Sequence, residues 1–186
     1  MGSAGKAFRD RKKNLKEEKN LADESLEKNV NLTSKIITGR YSKREFDINN
    51  CGGKILNLKW KNARITKDGI AIVKKHLSRF EEIPANIKMI KRLEEIEANK
   101  IKITDYDKRF YTHEIREFER FKKLGHENTH ITKLPKNLYD DAHSATLEDF
   151  KIYELNEQRQ SILYHTEINQ EIDFLNEFER NILNIK

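Results

Sequence analysis

The spacing of hydrophobic positions changes twice along this chain. From Lys6 to Val30 apolar residues are sparse, with Phe8, Leu15, Leu21 and Leu26 set among Lys, Arg, Glu and Asp. That spacing follows a helical period only loosely, so residues 1–30 read as a charged arm or linker helix. The opening Met1-Gly-Ser-Ala-Gly5 reads as a linker. Residues 31–186 then read as one helical domain with a β element near 35–60. Lys35–Tyr41 and Lys54–Trp60 carry β-branched and aromatic residues, and Asn49-Asn50-Cys51-Gly52-Gly53 between them is a turn signal. Leu56, Leu58 and Trp60 alternate with Asn57 and Lys59, the period of two of a half-buried strand. A small antiparallel hairpin or sheet is expected.

From Thr66 onward the period becomes helical. Thr66 or Asp68 can cap a helix whose apolar points are Ile70, Val73, Leu77 and Phe80. Pro84 suits the first turn of a second helix carrying Ile87, Ile90, Leu93 and Ile96. Thr104-Asp105-Tyr106-Asp107 resembles a capping box, opening a helix through Phe110, Phe118 and Phe121 that stops at Gly125. A polar loop from His126 to Asn137 follows. A fourth helix is expected from Asp140 with Leu147, Phe150 and Tyr153 on its apolar face. Thr166 can cap a last helix bearing Ile168, Ile172, Leu175 and Ile182. The predicted class is mainly α, about five helices with a small N-terminal β-hairpin or sheet, α+β being the variant.

Composition narrows the picture. At 186 residues the chain can bury one real core, although 37% of it is charged and only 36% hydrophobic. The formal charge is +6 and the pI is near 9.2, which favours acidic partners such as nucleic acid. The single Cys51 excludes an internal disulfide and any cysteine-rich metal knuckle. No run approaches the length of a membrane helix and no signal segment opens the chain, so a protein working in water is expected.

Two segments carry most of the candidate chemistry. In Phe110-Tyr-Thr-His113-Glu114-Ile-Arg116-Glu117-Phe-Glu119-Arg120, His113 and Glu117 are one helical turn apart and share a face. Arg120 returns to that face. Asp141-Ala-His143-Ser-Ala-Thr146-Leu-Glu148-Asp149 follows about thirty residues later. Cleaving a phosphodiester without metal needs a base for the attacking hydroxyl, an acid for the leaving oxygen and a cation for the developing charge. Histidine, glutamate and arginine meet that need. His113, Glu114, Arg116, Glu117 and His143 are therefore the candidate catalytic residues. With a helix start at Asp140, His143 would lie in the first turn, a favourable seat for an anion, and Thr146 could add a hydroxyl donor. His76, Arg79, Arg120 and Thr146 are candidate substrate-binding residues, with Lys74 and Lys75 beside them. His76 also reads as a satisfied histidine at the core edge, and His126 and His130 read as solvent-facing.

Metal ligation is the competing chemistry. His113 with Glu117 is an acceptable ligand pair, and His143 or His76 could supply a third. The second histidine of the HExxH signature is missing because position 117 is Glu. The expectation is no cofactor, with a divalent metal as the alternative. There is no Gly-rich phosphate loop.

Lys75-His76-Leu-Ser-Arg79-Phe80, Phe110–Glu117, Ala142–Phe150 and Leu163-Tyr164-His165 together resemble the C-terminal toxin domains of bacterial polymorphic toxins, the contact-dependent growth inhibition effectors and their relatives. The resemblance runs from Ile65 to Thr166, with Thr166 where such domains often have Pro. It implies a nuclease toxin, specifically a ribonuclease cleaving transfer RNA. Such a domain would travel on a larger secreted carrier into the cytoplasm of a target bacterium. It would be neutralised by a cognate immunity protein and could act with a host factor such as elongation factor Tu. The alternatives are a metal-dependent DNase toxin and a non-enzymatic helical module that binds protein or nucleic acid.

Overall fold

Side-chain caps fix where the helices begin. Thr66 accepts from Gly69 N and opens α1, Lys67–Leu77. Pro84 occupies the first turn of α2, Pro84–Glu97. The Thr104–Asp107 capping box is formed in both directions and opens α3, Asp105–Lys123, which ends just before Gly125 at φ 79°. These starts and stops are as expected. A 3-10 turn, Ile131–Lys133, interrupts the polar loop before α4, Leu138–Phe150, and α5, Thr166–Asn184. Two strands, β1 (Ile36–Thr38) and β2 (Glu45–Asp47), precede the helices. The computed structural model describes residues 34–184, and the charged segment expected over 1–30 lies outside the described residues. Over the described residues the chain is mainly helical, with five α-helices and one small antiparallel sheet near the N-terminal end.

The sheet differs from the expected pairing. β1 and β2 pair with Ile36 opposite Asp47, Ile37 opposite Phe46 and Thr38 opposite Glu45, so the hairpin turn is Gly39–Arg44 and not Asn49–Gly53. Lys54–Trp60 is extended but joins no strand. Its amides are taken elsewhere: Leu56 N donates to Asp149 Oδ1 at 2.5 Å and Leu58 N to the Asp149 carbonyl at 2.8 Å. Leu58 and Trp60 pack on the core as the alternation predicts, but Leu56, expected on the same face, is exposed, and Ile55 packs on the Phe46 cluster.

The main core joins Ile70 and Val73 of α1, Met89 and Leu93 of α2, Phe110 and Tyr111 of α3, and Leu147 and Phe150 of α4. Burying each such side chain contributes about 1.5–3 kcal/mol before the entropy of ordering it is counted. Ala85, Met89 and Leu93 set the inner face of α2, so Ile87, expected inside, is exposed. Tyr153 falls beyond α4 and is exposed as well. α5 packs through Ile168 and Ile172, while Phe174, Leu175, Phe178, Ile182 and Leu183 stay exposed. Leu175 and Ile182, expected on its buried face, are thus outside.

α4 is the central helix, buried on nearly every side. It begins two residues before the expected cap. Asn137 adopts a left-handed φ of 67°, and Asp140 lies within the first turn. His143 is therefore in the second turn and faces the interior, so the first-turn amides do not offer it an anion seat.

Candidate active site

α1, α3 and α4 bring three histidines and two glutamates into one buried group. His113 and Glu117 share a face of α3, with Glu114 beside them. His76 enters from α1 and His143 from α4. His113 Nε2 and His143 Nδ1 are 3.1 Å apart, their rings edge to face. Glu117 lies under both: Oε2 is 3.7 Å from His113 Nε2, and Oε1 is 3.4 Å from His143 Nδ1. On its other side Glu117 Oε2 is 3.0 Å from His76 Nε2, which is also 3.7 Å from Glu114 Oε2. His113 is 1% exposed and His143 8%, so His143 is the outer end of the group.

Burial and mutual charge divide these groups. Burial, with the His143 charge adding to it, pushes the His113 pKa down to about 3 and keeps the ring neutral. Burial, reinforced by Glu117, raises Glu114 well above the ordinary carboxylate range. Burial acts upward on Glu117 too, but His143 and His76 outweigh it and hold that carboxyl well below its usual value. The environment thus pushes one carboxyl toward its protonated form and holds the other ionised, the separation that acid–base chemistry uses. Aromatic rings dry the site. Phe80, Phe118 and Phe121 present edges to His76, and Tyr139 stacks on His143 with 5.5 Å between centroids.

From the outer end a line of charged contacts leads to the hairpin. His143 Nε2 is 3.9 Å from Glu154 Oε1, and the same carboxylate pairs with Arg44. Side-chain exposure rises along this line from 11% at His143 to 22% at Glu154 and 43% at Arg44. Glu148 Oε1 fixes the turn above by accepting from Tyr41 N at 2.7 Å, Ser42 N at 2.9 Å and Ser42 Oγ at 3.2 Å. A Cβ at Gly39 would meet Ser42 Oγ at 2.0 Å and Glu148 Oε1 at 2.5 Å, so a larger residue there would displace the side chains that hold the turn.

The arginines expected at a phosphate are committed elsewhere. Arg116 Nε and Arg120 Nη2 donate to Asp149 Oδ2 at 2.7 and 2.6 Å. Arg116 also binds Glu119, while Arg120 donates to the Cys51 and Gly53 carbonyls. Both are buried, and neither guanidinium bonds a member of the histidine group. Arg79 donates to the carbonyls of His76, His126, Glu127 and Thr129 and lies over the Phe121 ring, fastening the loop after α3. With Lys75 and His130 it borders a surface cleft of about 220 Å³. Lys74 pairs with Glu94 and Lys75 with Glu127. Thr146 is buried and donates its hydroxyl to the Ala142 carbonyl. His126 is half-buried and His130 exposed, both outside the group.

The structure thus gathers five of the expected residues, His76, His113, Glu114, Glu117 and His143, and holds Arg79, Arg116, Arg120 and Thr146 in supporting positions. His76, read as a core-edge residue, is a full member. Tyr139, Glu154 and Arg44 were missed. Tyr139 had a signal, since it precedes His143 by one helical turn. Glu154 and Arg44 had none, because both depend on how the hairpin lies on α4.

The same donors form two metal-capable sets, His113–Glu117–His143 and His76–Glu114–Glu117, each with ligand atoms within 4.8 Å of one another and sharing Glu117. The donor types suit a divalent ion such as zinc. The outer shell fits less well. A ligating histidine ordinarily donates its second ring nitrogen to a carboxylate or carbonyl. Among the described residues, His76 Nδ1 and His113 Nδ1 are buried with no partner.

No protein family, curated protein or solved structure matches this chain.

Proposed function

We propose that this chain is a ribonuclease toxin domain that cleaves transfer RNA by metal-independent acid–base chemistry. The observation that carries the reading is the His113–His143 hydrogen bond laid over the ionised Glu117, with His143 at its outer end. A proton on His143 Nδ1, donated to the neutral His113, leaves His143 Nε2 as the base facing the rim. There it removes the proton of a ribose 2′-hydroxyl. The 2′ oxygen bonds to phosphorus, the bond to the 5′ oxygen breaks, and water supplies the proton that oxygen needs. The products are a 2′,3′-cyclic phosphate and a 5′-hydroxyl.

His143 is the catalytic residue in this scheme. His113 and Glu117 hold its tautomer and offset the positive charge it gains, and His76 and Glu114 position Glu117. Arg44, paired with Asp140 and Glu154 beyond His143, serves at the rim as a substrate-binding cation. Transfer RNA, the immunity protein, elongation factor Tu and delivery on a secreted carrier into a target cytoplasm follow from the toxin resemblance. An immunity protein covering the basic rim would present acidic side chains to it.

A metal-dependent DNase toxin is the second reading, favoured by the two ligand sets that share Glu117. One experiment separates the two. The full chain and a His143→Ala variant are incubated with total bacterial RNA and plasmid DNA, with and without chelator and cell extract. Discrete transfer-RNA fragments that persist in chelator and vanish in the variant support the first reading. Loss on chelation with recovery on a divalent ion supports the second. Intact nucleic acid in every lane overturns both and leaves a binding module.

A further inference from the structure

The surface around the mouth of the site carries two tyrosines and three cations in one place. The hairpin turn supplies Arg40, Tyr41, Lys43 and Arg44, and the segment after α4 supplies Tyr153. The Tyr41 and Tyr153 rings lie 5.2 Å apart and tilted by 60°. Arg40 Cζ is 5.8 Å from the Tyr41 ring centre, and Lys43 Nζ is 5.5 Å from that of Tyr153. Tyr153 is 48% exposed, so its ring is accessible at the surface. Lys43 holds φ at 58°, the left-handed region.

The neighbouring acids do not cancel this surface. Glu148 is committed to the turn amides, while Asp140 and Glu154 are both paired with Arg44. Arg40 and Lys43 have no acidic partner among the described residues' ion pairs, and each lies against one of the two rings. The Arg44–Glu154 pair links this rim to His143, whose Nε2 is 3.9 Å from the Glu154 carboxylate.

We infer that Tyr41 and Tyr153, with Arg40 and Lys43, form a subsite for unpaired nucleotides that feeds the phosphodiester to His143. The inference rests on the ribonuclease reading and narrows its substrate to single-stranded RNA, such as a loop. Aromatic faces accept bases only when those bases are out of a duplex, while Arg and Lys follow the phosphates. Here the two rings lie together with a cation against each, so a base can stack on the exposed aromatic surface while Arg40 and Lys43 face the flanking phosphates.

The test is a binding measurement on the full chain, using fluorescence anisotropy of a labelled twelve-nucleotide RNA, single-stranded or annealed to its complement. Cleavage of the same RNA is followed separately. The single strand should bind tighter than the duplex. Tyr153→Ala should weaken it roughly tenfold or more, and Tyr153→Phe, which keeps the ring, should restore most of that. Lys43→Ala should lower the salt dependence by about one charge without changing the preference for single strands. Thermal melts check that each variant is folded. Equal binding of duplex and single strand, or an unchanged affinity in Tyr153→Ala, overturns the subsite. If His143→Ala abolishes cleavage while Tyr153→Ala leaves KM unchanged, the subsite fails and the ribonuclease reading stands. Tighter binding of the single strand through the tyrosines, with no cleavage of any RNA, keeps the subsite and overturns the ribonuclease reading.

Discussion

His76 Nε2 lies between two carboxylates of α3, 3.0 Å from Glu117 Oε2 and 3.7 Å from Glu114 Oε2. The two acids are a turn apart, both buried, and pushed in opposite directions. Glu114 is raised by burial and by its neighbour's charge, whereas His143 and His76 overcome the burial of Glu117 and hold it ionised. One imidazole thus bonds the carboxyl that is held ionised and stands off from the one pushed toward its protonated form. The asymmetry comes from position along the helix. Glu117 is one turn beyond His113 and reaches His143, and Glu114 does not.

Glutamine substitutions should expose this asymmetry. Glu114→Gln keeps the shape but removes a carboxyl whose ionisation burial and Glu117 both oppose, so at pH 7 stability should hold or rise. Glu117→Gln removes the anion that three histidines face and should cost about 2–4 kcal/mol together with nearly all RNA cleavage. Urea denaturation at pH 7 with parallel activity assays compares the two. Equal costs would mean that the carboxyls are not divided in this way.

The pH dependence of stability should separate His113 from Glu114. The His113 pKa falls from 6.5 to about 3 on folding, so between those values the unfolded chain holds the extra proton. Its contribution therefore makes stability rise with pH up to 6.5. Glu114 is raised from 4.5, so above 4.5 the native chain holds the extra proton, and its contribution makes stability fall as pH rises toward the folded value. The two oppose each other between pH 4.5 and 6.5. Glu117, depressed on folding, loses its stabilisation only as pH drops below 4.5. Relative to the parent chain, Glu114→Gln should gain stability on going from pH 5 to 6.5, and His113→Gln should lose up to about 2 kcal/mol. Denaturant midpoints at the two pH values measure this, and parallel curves for both variants would refute it.

Much of the helical frame could be read from the chain because helix ends are local. Thr66, Pro84, the Thr104–Asp107 box and Gly125 each act within about one turn. Half of the site is local for the same reason, since His113 and Glu117 meet by helical geometry alone. The rest depends on packing between elements. His76 joins only because α1 lies across α3, and no pattern within Lys75–Phe80 encodes that crossing. Lys54–Trp60 has the alternation of a strand, but a distant aspartate takes its amides. Arg116 and Arg120 have the chemistry of phosphate ligands, and nothing near them in sequence reveals that Asp149 claims both.

Asp149 should therefore be the most costly surface-distant carboxylate to neutralise. It is fully buried, and it receives Arg116, Arg120 and the Leu56 amide. Asp149→Asn leaves two guanidinium groups without their counter-charge and should destabilise the chain by about 3–5 kcal/mol. Hydrogen exchange should localise the damage, with the Leu56 and Leu58 amides losing protection first. Gly52→Ala should act on the same segment by another route. Gly52 sits at φ 78°, and a Cβ there would come within 2.6 Å of the Arg120 carbonyl oxygen. Unchanged exchange at Leu56 and Leu58 in both variants would show that Asp149 does not hold this segment down.

Glu148 offers a way to loosen the rim while leaving His143 in place. One of its oxygens accepts from Tyr41 N, Ser42 N and the Ser42 hydroxyl, and no member of the histidine group bonds to it. Glu148→Ala removes those three bonds at a cost of about 1–3 kcal/mol, mostly from partners left unsatisfied. The freed turn no longer holds Tyr41 against Tyr153 or Arg44 against Glu154. Substrate should then bind poorly, while His113 and Glu117 still support His143. KM for a single-stranded RNA should rise about tenfold with kcat changed less than about threefold, the pattern of lost binding that is uniform between ground and transition states. A fall in kcat at unchanged KM would instead place the turn in the chemical step, through Arg44 acting on the developing phosphate charge.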